Sequence, residues 1–471
     1  MRNLLIAFLV LPFISCDNSK NTIAYFGGEV INPRDSVVIL YRDDEPIDTA
    51  QLNSENRFLF RIKLRDKKGD LFKFRHFPEH QYVFIQGGDS VLARVNTLNF
   101  DESLVFSGKG AEKNNFLIEM YLLDEDEQKL IYSYYNLEPV HFSRKIDSLR
   151  QMKMEQYEHL IVTQRLSGPA KNVARASIDY PNYRYREFYP YMYKKLKNTD
   201  RKKPVNMPEG FYAFRDNVNY NDKELRFYKP YFDFMVYHFN GLAYSKCVDE
   251  CPRKEDSNEN SVHYYIHKLK LIDNKVDEKG LKDYLFRNTA YTYYLEDQDE
   301  ANNKLFMDKF LELDGDNKYL DEVQSLYTNI RNLQKGAHVP SLQLVDISGH
   351  HTNLDDVCHN KNTVVYFWTL FQKGHSKYIN KYIMALQKEY PAVNFVGICL
   401  NENYEDWIET IAINNLRKEQ QYLSLKRDKI SKGLTVNNLN KVILVDNKST
   451  IINAFTYIQS PEFHDILRSM N

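Results

Sequence analysis

Asn362 to Tyr378 reads NTVVYFWTLFQKGHSKY. Thr363 to Phe367 is an unbroken apolar and β-branched run, the pattern of a strand covered on both faces. After Trp368 the pattern passes into a helix. A helix that starts at the end of a buried strand presents free backbone N–H groups and the positive end of its macrodipole. A cysteine placed there becomes a thiolate near neutral pH. This junction contains no cysteine.

Working outward, residues 335–471 read as β-hairpin, strand, helix, strand, helix, strand, strand, helix. Val393–Leu400 (VNFVGICL) is a second buried strand, and Asn403–Asn414 a helix with Trp407 on its packed face. Val442–Asp446 (VILVD) is a third strand, turning through Asn447-Lys448 into an antiparallel partner at Thr450–Phe455.

These positions resemble the thioredoxin-like family of the TlpA and AhpC/TSA type. Gly336-Ala337-His338-Val339-Pro340-Ser341-Leu342 resembles its lead-in. Leu344–Gly349 with Leu354 resembles its first hairpin, and Trp368 the tryptophan after its first core strand. The resemblance implies a Cys-x-x-Cys at the helix start and a cis-proline facing it. Alignment on Trp368 puts Gln372 and His375 at the two cysteine positions and Asn440 at the cis-proline position. Neither Gln372 nor His375 can form a disulfide. A cis bond before a non-proline costs about 2.5–4 kcal/mol, so the loop at Asn440 is expected to be trans. Three changes at aligned places imply that thiol–disulfide exchange has been lost, and no catalytic residue is assigned.

Other residues could carry chemistry. Cys399 lies inside a buried strand and reads as an inert core thiol. Cys358, with His359 and Lys361 beside it, is a candidate for an exposed thiol. His338, His350, His351, His359 and His375 invite a metal reading, but the cysteine pair of copper-binding relatives is absent. No metal and no cofactor are expected.

Upstream, residues 17–110 alternate in short runs separated by turns at Asn32-Pro33, Asp43-Asp44, Asn53-Ser54, Lys68-Gly69 and Gly87-Gly88. The pattern is that of a β-sandwich. It resembles the small domain of unknown function that precedes thioredoxin-like domains in many Gram-negative lipoproteins. Gly87-Gly88-Asp89-Ser90 reads as a tight turn and nothing further. Residues 111–334 change to helical periodicity, rich in tyrosine, with Tyr180–Tyr193 (YPNYRYREFYPYMY) the densest stretch. Aromatics at such spacing are read as interhelical packing. The acidic run Asp124–Glu127 is read as a solvated helix face. Cys247 and Cys251 stand where a helix ends and are a possible disulfide.

The N-terminus reads as a processing segment. Arg2 is followed by the apolar Leu4–Ile14, then Ser15-Cys16, the order of a bacterial lipobox. Cys16 is the expected lipidation site, with residues 1–16 a lipoprotein signal peptide.

The chain has 471 residues and 35 tyrosines. Its 63 Lys and Arg against 64 Asp and Glu leave no global charge to attract nucleic acid. The expected fold is multidomain α+β: an N-terminal β-sandwich, a helical middle region, and a C-terminal α/β thioredoxin-like fold over 335–471. The expected role is a lipid-anchored protein of the cell envelope, at the outer membrane facing the periplasm or the exterior of a Gram-negative bacterium. Its thioredoxin-like domain would be redox-inactive and act in binding or assembly, with an envelope protein, a peptide or a glycan as partner. The alternative is a divergent thiol–disulfide oxidoreductase using Cys247 and Cys251 or Cys358.

Overall fold

A computed structural model describes residues 22–199, 205–250, 262–401 and 403–470. Cys16 and Cys251 lie outside the described residues. The chain forms two compact units. One comprises residues 1–248 and 274–282, the other 249–273 and 283–471. The expected boundaries at 110 and 334 do not coincide with this division.

The first unit opens with eight strands. β1 (Ile23–Ile31), β2 (Val37–Arg42), β3 (Glu45–Gln51), β4 (Arg57–Lys63), β5 (Asp70–His76), β6 (Glu79–Ile85) and β7 (Ser90–Asn96) come first. A helical turn, α1 (Phe100–Ser103), precedes β8 (Val105–Lys109). They form two sheets, β4-β1-β7-β8 and β3-β2-β5-β6. Alternate residues of both sheets point into one core, where Phe26 lies 5.2 Å from Phe74 and 5.5 Å from Phe58. One strand departs from the sequence reading. β3 was not anticipated, because it is exposed along nearly its whole length and carries no alternation.

The turn at Gly88 is present, with φ of +80°. Asp89 does more than turn: it is buried, and its carboxylate accepts from Lys113 Nζ at 2.6 Å and from the Gln86 backbone at 2.8 Å. Lys113 belongs to α2 (Ala111–Tyr134), so this ion pair fixes the first helix to the strands.

α3 (Pro139–Thr163), α4 (Gly168–Lys197) and α5 (Lys229–Glu250) follow. The tyrosine-rich stretch lies within α4 and keeps Pro181 and Pro190 inside the helix. Its aromatics pack: Tyr189 lies 4.0 Å from Phe142, and Tyr180 lies 4.8 Å from Tyr231. The acidic run of α2 is solvated only in its middle, where Glu125 and Asp126 are exposed. Asp124 accepts from Arg184 at 3.1 Å and from Tyr185 at 2.7 Å, and Glu127 accepts from Lys153 at 2.5 Å. These two charges are matched by neighbouring helices, which sequence spacing within α2 does not report. A second buried group links α4, α5 and the loop between them. Glu187 accepts from Arg215 at 2.8 Å and bonds His238 Nδ1 at 2.7 Å, while His238 Nε2 meets Tyr220 OH at 2.8 Å. Cys247 is disulfide-bonded.

α6 (Val262–Lys275) and α7 (Lys279–Glu296) lead into the second unit, which continues with α8 (Glu300–Asp314) and α9 (Leu320–Asn332). Then come β9 (Gln343–Val345), β10 (His351–Asn353), α10 (Leu354–Cys358), β11 (Thr363–Trp368), α11 (Lys373–Glu389), β12 (Asn394–Cys399) and α12 (Tyr404–Ile413). β13 (Gln421–Ser424), α13 (Arg427–Gly433), β14 (Lys441–Val445), β15 (Ile451–Tyr457) and α14 (Pro461–Met470) complete it. The sheet order is β10-β9-β13-β12-β11-β14-β15, with β11, β12 and β13 parallel and the rest antiparallel. α10, β13 and α13 are additional to the expected element order. β13 is short and begins with Gln421, so it carries no apolar run.

Removing one member of the Asp89–Lys113 pair leaves a buried charge alone. Lys113→Met is expected to lose about 3–5 kcal/mol of stability in denaturant unfolding. The double substitution with Asp89→Leu should recover much of that loss, as a double-mutant cycle would show.

Candidate functional site at the β11–α11 junction

All six residues of β11 are buried, because the sheet is covered on both faces. Val364, Tyr366 and Trp368 pack with Ile379 and Ile383 of α11 and Trp407 of α12. Val365 and Phe367 point the other way, toward Leu354, Cys358 and Ile430. The buried polar atoms of Tyr366 and Trp368 need partners. Trp368 Nε1 donates to Gln421 Oε1 at 3.1 Å, Gln421 Nε2 donates to Tyr366 OH at 2.9 Å, and Tyr366 OH donates to Asn380 Oδ1 at 3.3 Å. Gly397 makes room for this chain. A Cβ there would meet Gln421 Oε1 and lie 2.6 Å from Tyr366 OH.

The strand leaves the core at Thr369. Leu370 N donates to Asn401 Oδ1 at 2.7 Å, and Gln372 N to Thr369 Oγ1 at 3.2 Å. Ser376 Oγ donates back to the Thr369 carbonyl. These bonds close the junction and start α11. Gln372 is its N-cap residue and makes no side-chain cap bond. Phe371, Gln372, Lys373 and Gly374 are exposed, and His375 is half-buried.

The three positions that the resemblance singled out lie on two elements. His375 Nε2 bonds Asn440 Oδ1 at 3.1 Å, across 65 residues of sequence. Because Asn440 Oδ1 accepts, His375 carries the proton on Nε2, and its Nδ1 is buried without a partner. Gln372 stands one turn earlier on the same helix. Among the described residues Phe77–Pro78 is the one cis peptide, so the bond before Asn440 is trans.

The loop at Asn440 is held from below by a residue that sequence reasoning missed. Lys441 is buried, and its Nζ donates to the carbonyls of Leu434 and Thr435 at 2.8 and 3.1 Å and to Thr435 Oγ1 at 3.1 Å. It also lies 5.0 Å over the Phe455 ring. Burial pulls its pKa down to about 7. A lysine next to the run VILV was the available signal.

Cys358 is a correction. It was a candidate for an exposed thiol, but it is wholly buried at the end of α10, where it packs with Phe367 and Val365. The neighbouring His359 and Lys361 sit outside that core in a turn. Burial pushes the Cys358 thiol up to about 12, and does the same to Cys399. Neither forms a thiolate at neutral pH. Of the histidines that invited a metal reading, His350 faces Asp346 at 3.6 Å, and His338 Nδ1 lies 3.1 Å from the Val339 carbonyl oxygen. Among the described residues no three of His, Cys, Asp and Glu are grouped to hold a metal ion. The junction therefore offers backbone donors, an amide, an imidazole and an exposed phenyl ring, without a thiol.

No family model matches the chain, and no curated protein matches it. Solved structures do. The thioredoxin domain of a thiol-disulfide oxidoreductase from Bacteroides vulgatus is 18% identical over 30% of this chain and 99% of its own, with a TM-score of 0.25. A thiol-disulfide oxidoreductase from Bacteroides fragilis is 20% identical over 28% of this chain and 99% of its own, with a TM-score of 0.25. A thiol:disulfide interchange protein from a Bacteroides species is 21% identical over 29% and 88%, with a TM-score of 0.23. At these values the likeness says nothing about activity or substrate. From β9 to α14 the unit is mixed α/β, the element order that the resemblance implied with α10, β13 and α13 added.

Two outcomes follow from this geometry. Gly397→Ala is expected to cost about 1–3 kcal/mol by overpacking the Trp368–Gln421–Tyr366 chain, measured by chemical denaturation. Lys441 binds fewer protons folded than unfolded between its lowered value of about 7 and its ordinary 10.5. Its contribution to stability therefore rises as pH climbs through that window and is absent below it. Lys268, also lowered to about 7 by burial, adds to the same slope. Thermal unfolding from pH 6.5 to 10 should show Lys441→Met losing part of the upward slope of the wild type.

Proposed function

We propose that the chain is a lipid-anchored protein of the cell envelope whose thioredoxin-like unit has left thiol–disulfide exchange and serves in binding or assembly. The observation that carries this reading is the start of α11. Gln372 and His375 stand where the resemblance implies two thiols, and His375 is bonded to Asn440 across the junction. The burial of Cys358 and Cys399 supports it, since neither thiol reaches solvent. The anchor is Cys16, and the location is the outer membrane, on its periplasmic or exterior side. The partner is an envelope protein, a peptide or a glycan, engaged at Phe371, Gln372 and His375.

The alternative oxidoreductase would work through Cys247 and Cys251 or through Cys358. Purified protein is expected to give no turnover in an insulin-reduction assay. In the native state Cys358 and Cys399 should stay unlabelled by an alkylating probe at pH 8 and should label on unfolding. Turnover that Cys358→Ser abolishes, or a Cys247 disulfide reduced rapidly at the potential of redox catalysts, would favour the oxidoreductase.

A further inference from the structure

The sheet β4-β1-β7-β8 turns alternate residues outward, and the register places these in rows across all four strands. One row is Arg61–Tyr25–Ser90–Lys109. The next is Leu59–Gly27–Leu92–Ser107, and the third is Arg57–Glu29–Arg94–Val105. Lys63, opposite Ile23, extends the face at the end where the chain enters β1. The opposite faces of these strands fill the core, so this face is the sheet's outer surface.

Two properties set it apart. It carries Arg57, Arg61, Lys63, Arg94 and Lys109 against the single acid Glu29. Of the five cations only Arg57 has an ion-pair partner among the described residues, Glu55 at 2.8 Å. It also exposes apolar side chains at its centre: Leu59 is 63% exposed, Val105 57%, Leu92 49% and Tyr25 42%. Gly27 lies between Leu59 and Leu92, and a Cβ there would lie 3.0 Å from Leu59 Cδ1 and 2.7 Å from the Phe58 carbonyl. The middle of the sheet is thus low and apolar, with cations around it. Long cationic side chains beside tyrosine and aliphatic groups suit a lipid headgroup region, where the stems lie on apolar surface and the charges meet phosphates.

The position of the anchor selects the occupant. β1, a central strand of this sheet, begins at Ile23, seven residues after Cys16. Seven extended residues span at most about 25 Å. Resting on the reading of Cys16 as the lipidated residue, we infer that the outer face of β4-β1-β7-β8 docks on an anionic phospholipid surface beside its own anchor. The lipid chains hold the protein to the membrane, and the sheet face sets which side of the unit lies against it.

The test uses the full chain with Cys16→Ser, which removes acylation, in co-sedimentation with vesicles of phosphatidylcholine alone or with phosphatidylglycerol added. Binding to the neutral vesicles reads any contribution of the apolar leader. The difference between the two vesicle types reads the sheet face. We expect stronger binding to the anionic vesicles, weakening as salt rises. Arg61→Glu with Lys63→Glu and Arg94→Glu should lower it by roughly tenfold or more. Lys377→Glu with Lys381→Glu, an equally exposed cationic pair on α11, should leave it unchanged. Circular dichroism establishes that both variants fold. Equal binding to the two vesicle types overturns the inference. So does a loss shared by the α11 variant, or a dimer in gel filtration that the sheet variant converts to monomer. Mass spectrometry of Cys16 in the native protein reads the anchor separately. An unmodified Cys16 defeats the anchor reading, whereas an acylated Cys16 with no anionic preference defeats the docking face alone.

Discussion

The second unit depends on burying β11 on both sides. A strand with helices over each face can keep only apolar side chains and polar atoms that find partners within the protein. Val364 to Phe367 satisfy the first condition. Tyr366 and Trp368 meet the second through Gln421 and Asn380, which tie β11 to β13 and α11. Gly397 is the concession that makes this possible, since a side chain there would occupy the space of the bonded groups. From these requirements the position of α11 follows, and with it the junction.

The junction is held by bonds on both sides of its turn. Thr369 and Ser376 lock the turn into the helix, and Asn401 holds the chain as it leaves the sheet. The side chains that reach the helix start are an amide and an imidazole. His375 spends one nitrogen on Asn440, which joins the two sides of what would be a cleft. Beneath it Lys441 donates to three oxygens of the 434–435 turn and so shapes the loop without a cis peptide.

The first unit uses the same alternation for a different end. One face of β4-β1-β7-β8 supplies phenylalanines to the core, and the other carries cations around an apolar centre. The buried Asp89–Lys113 pair and the Glu187–His238–Arg215 group then fix helices where apolar packing alone would leave their rotation open.

Much of this was legible in one dimension. The buried strands, the Trp368 and Trp407 positions, the helical middle and the missing cysteines rest on local pattern, because alternation of period 2 or 3.6 records which face meets the core. Exposed β3 and short β13 left no such record. Nor could the pattern report that Cys358 is enclosed, that Asp124 and Glu127 are matched by other helices, or that Lys441 is buried beside a turn. Those facts depend on residues brought together across the fold, as His375 and Asn440 are across 65 positions. The sequence by itself determined that a strand-to-helix junction stands here without thiols. Only the tertiary structure decided that its two sides are bonded to each other and that the nearby thiols are sealed, because burial and partnership are properties of neighbours in space.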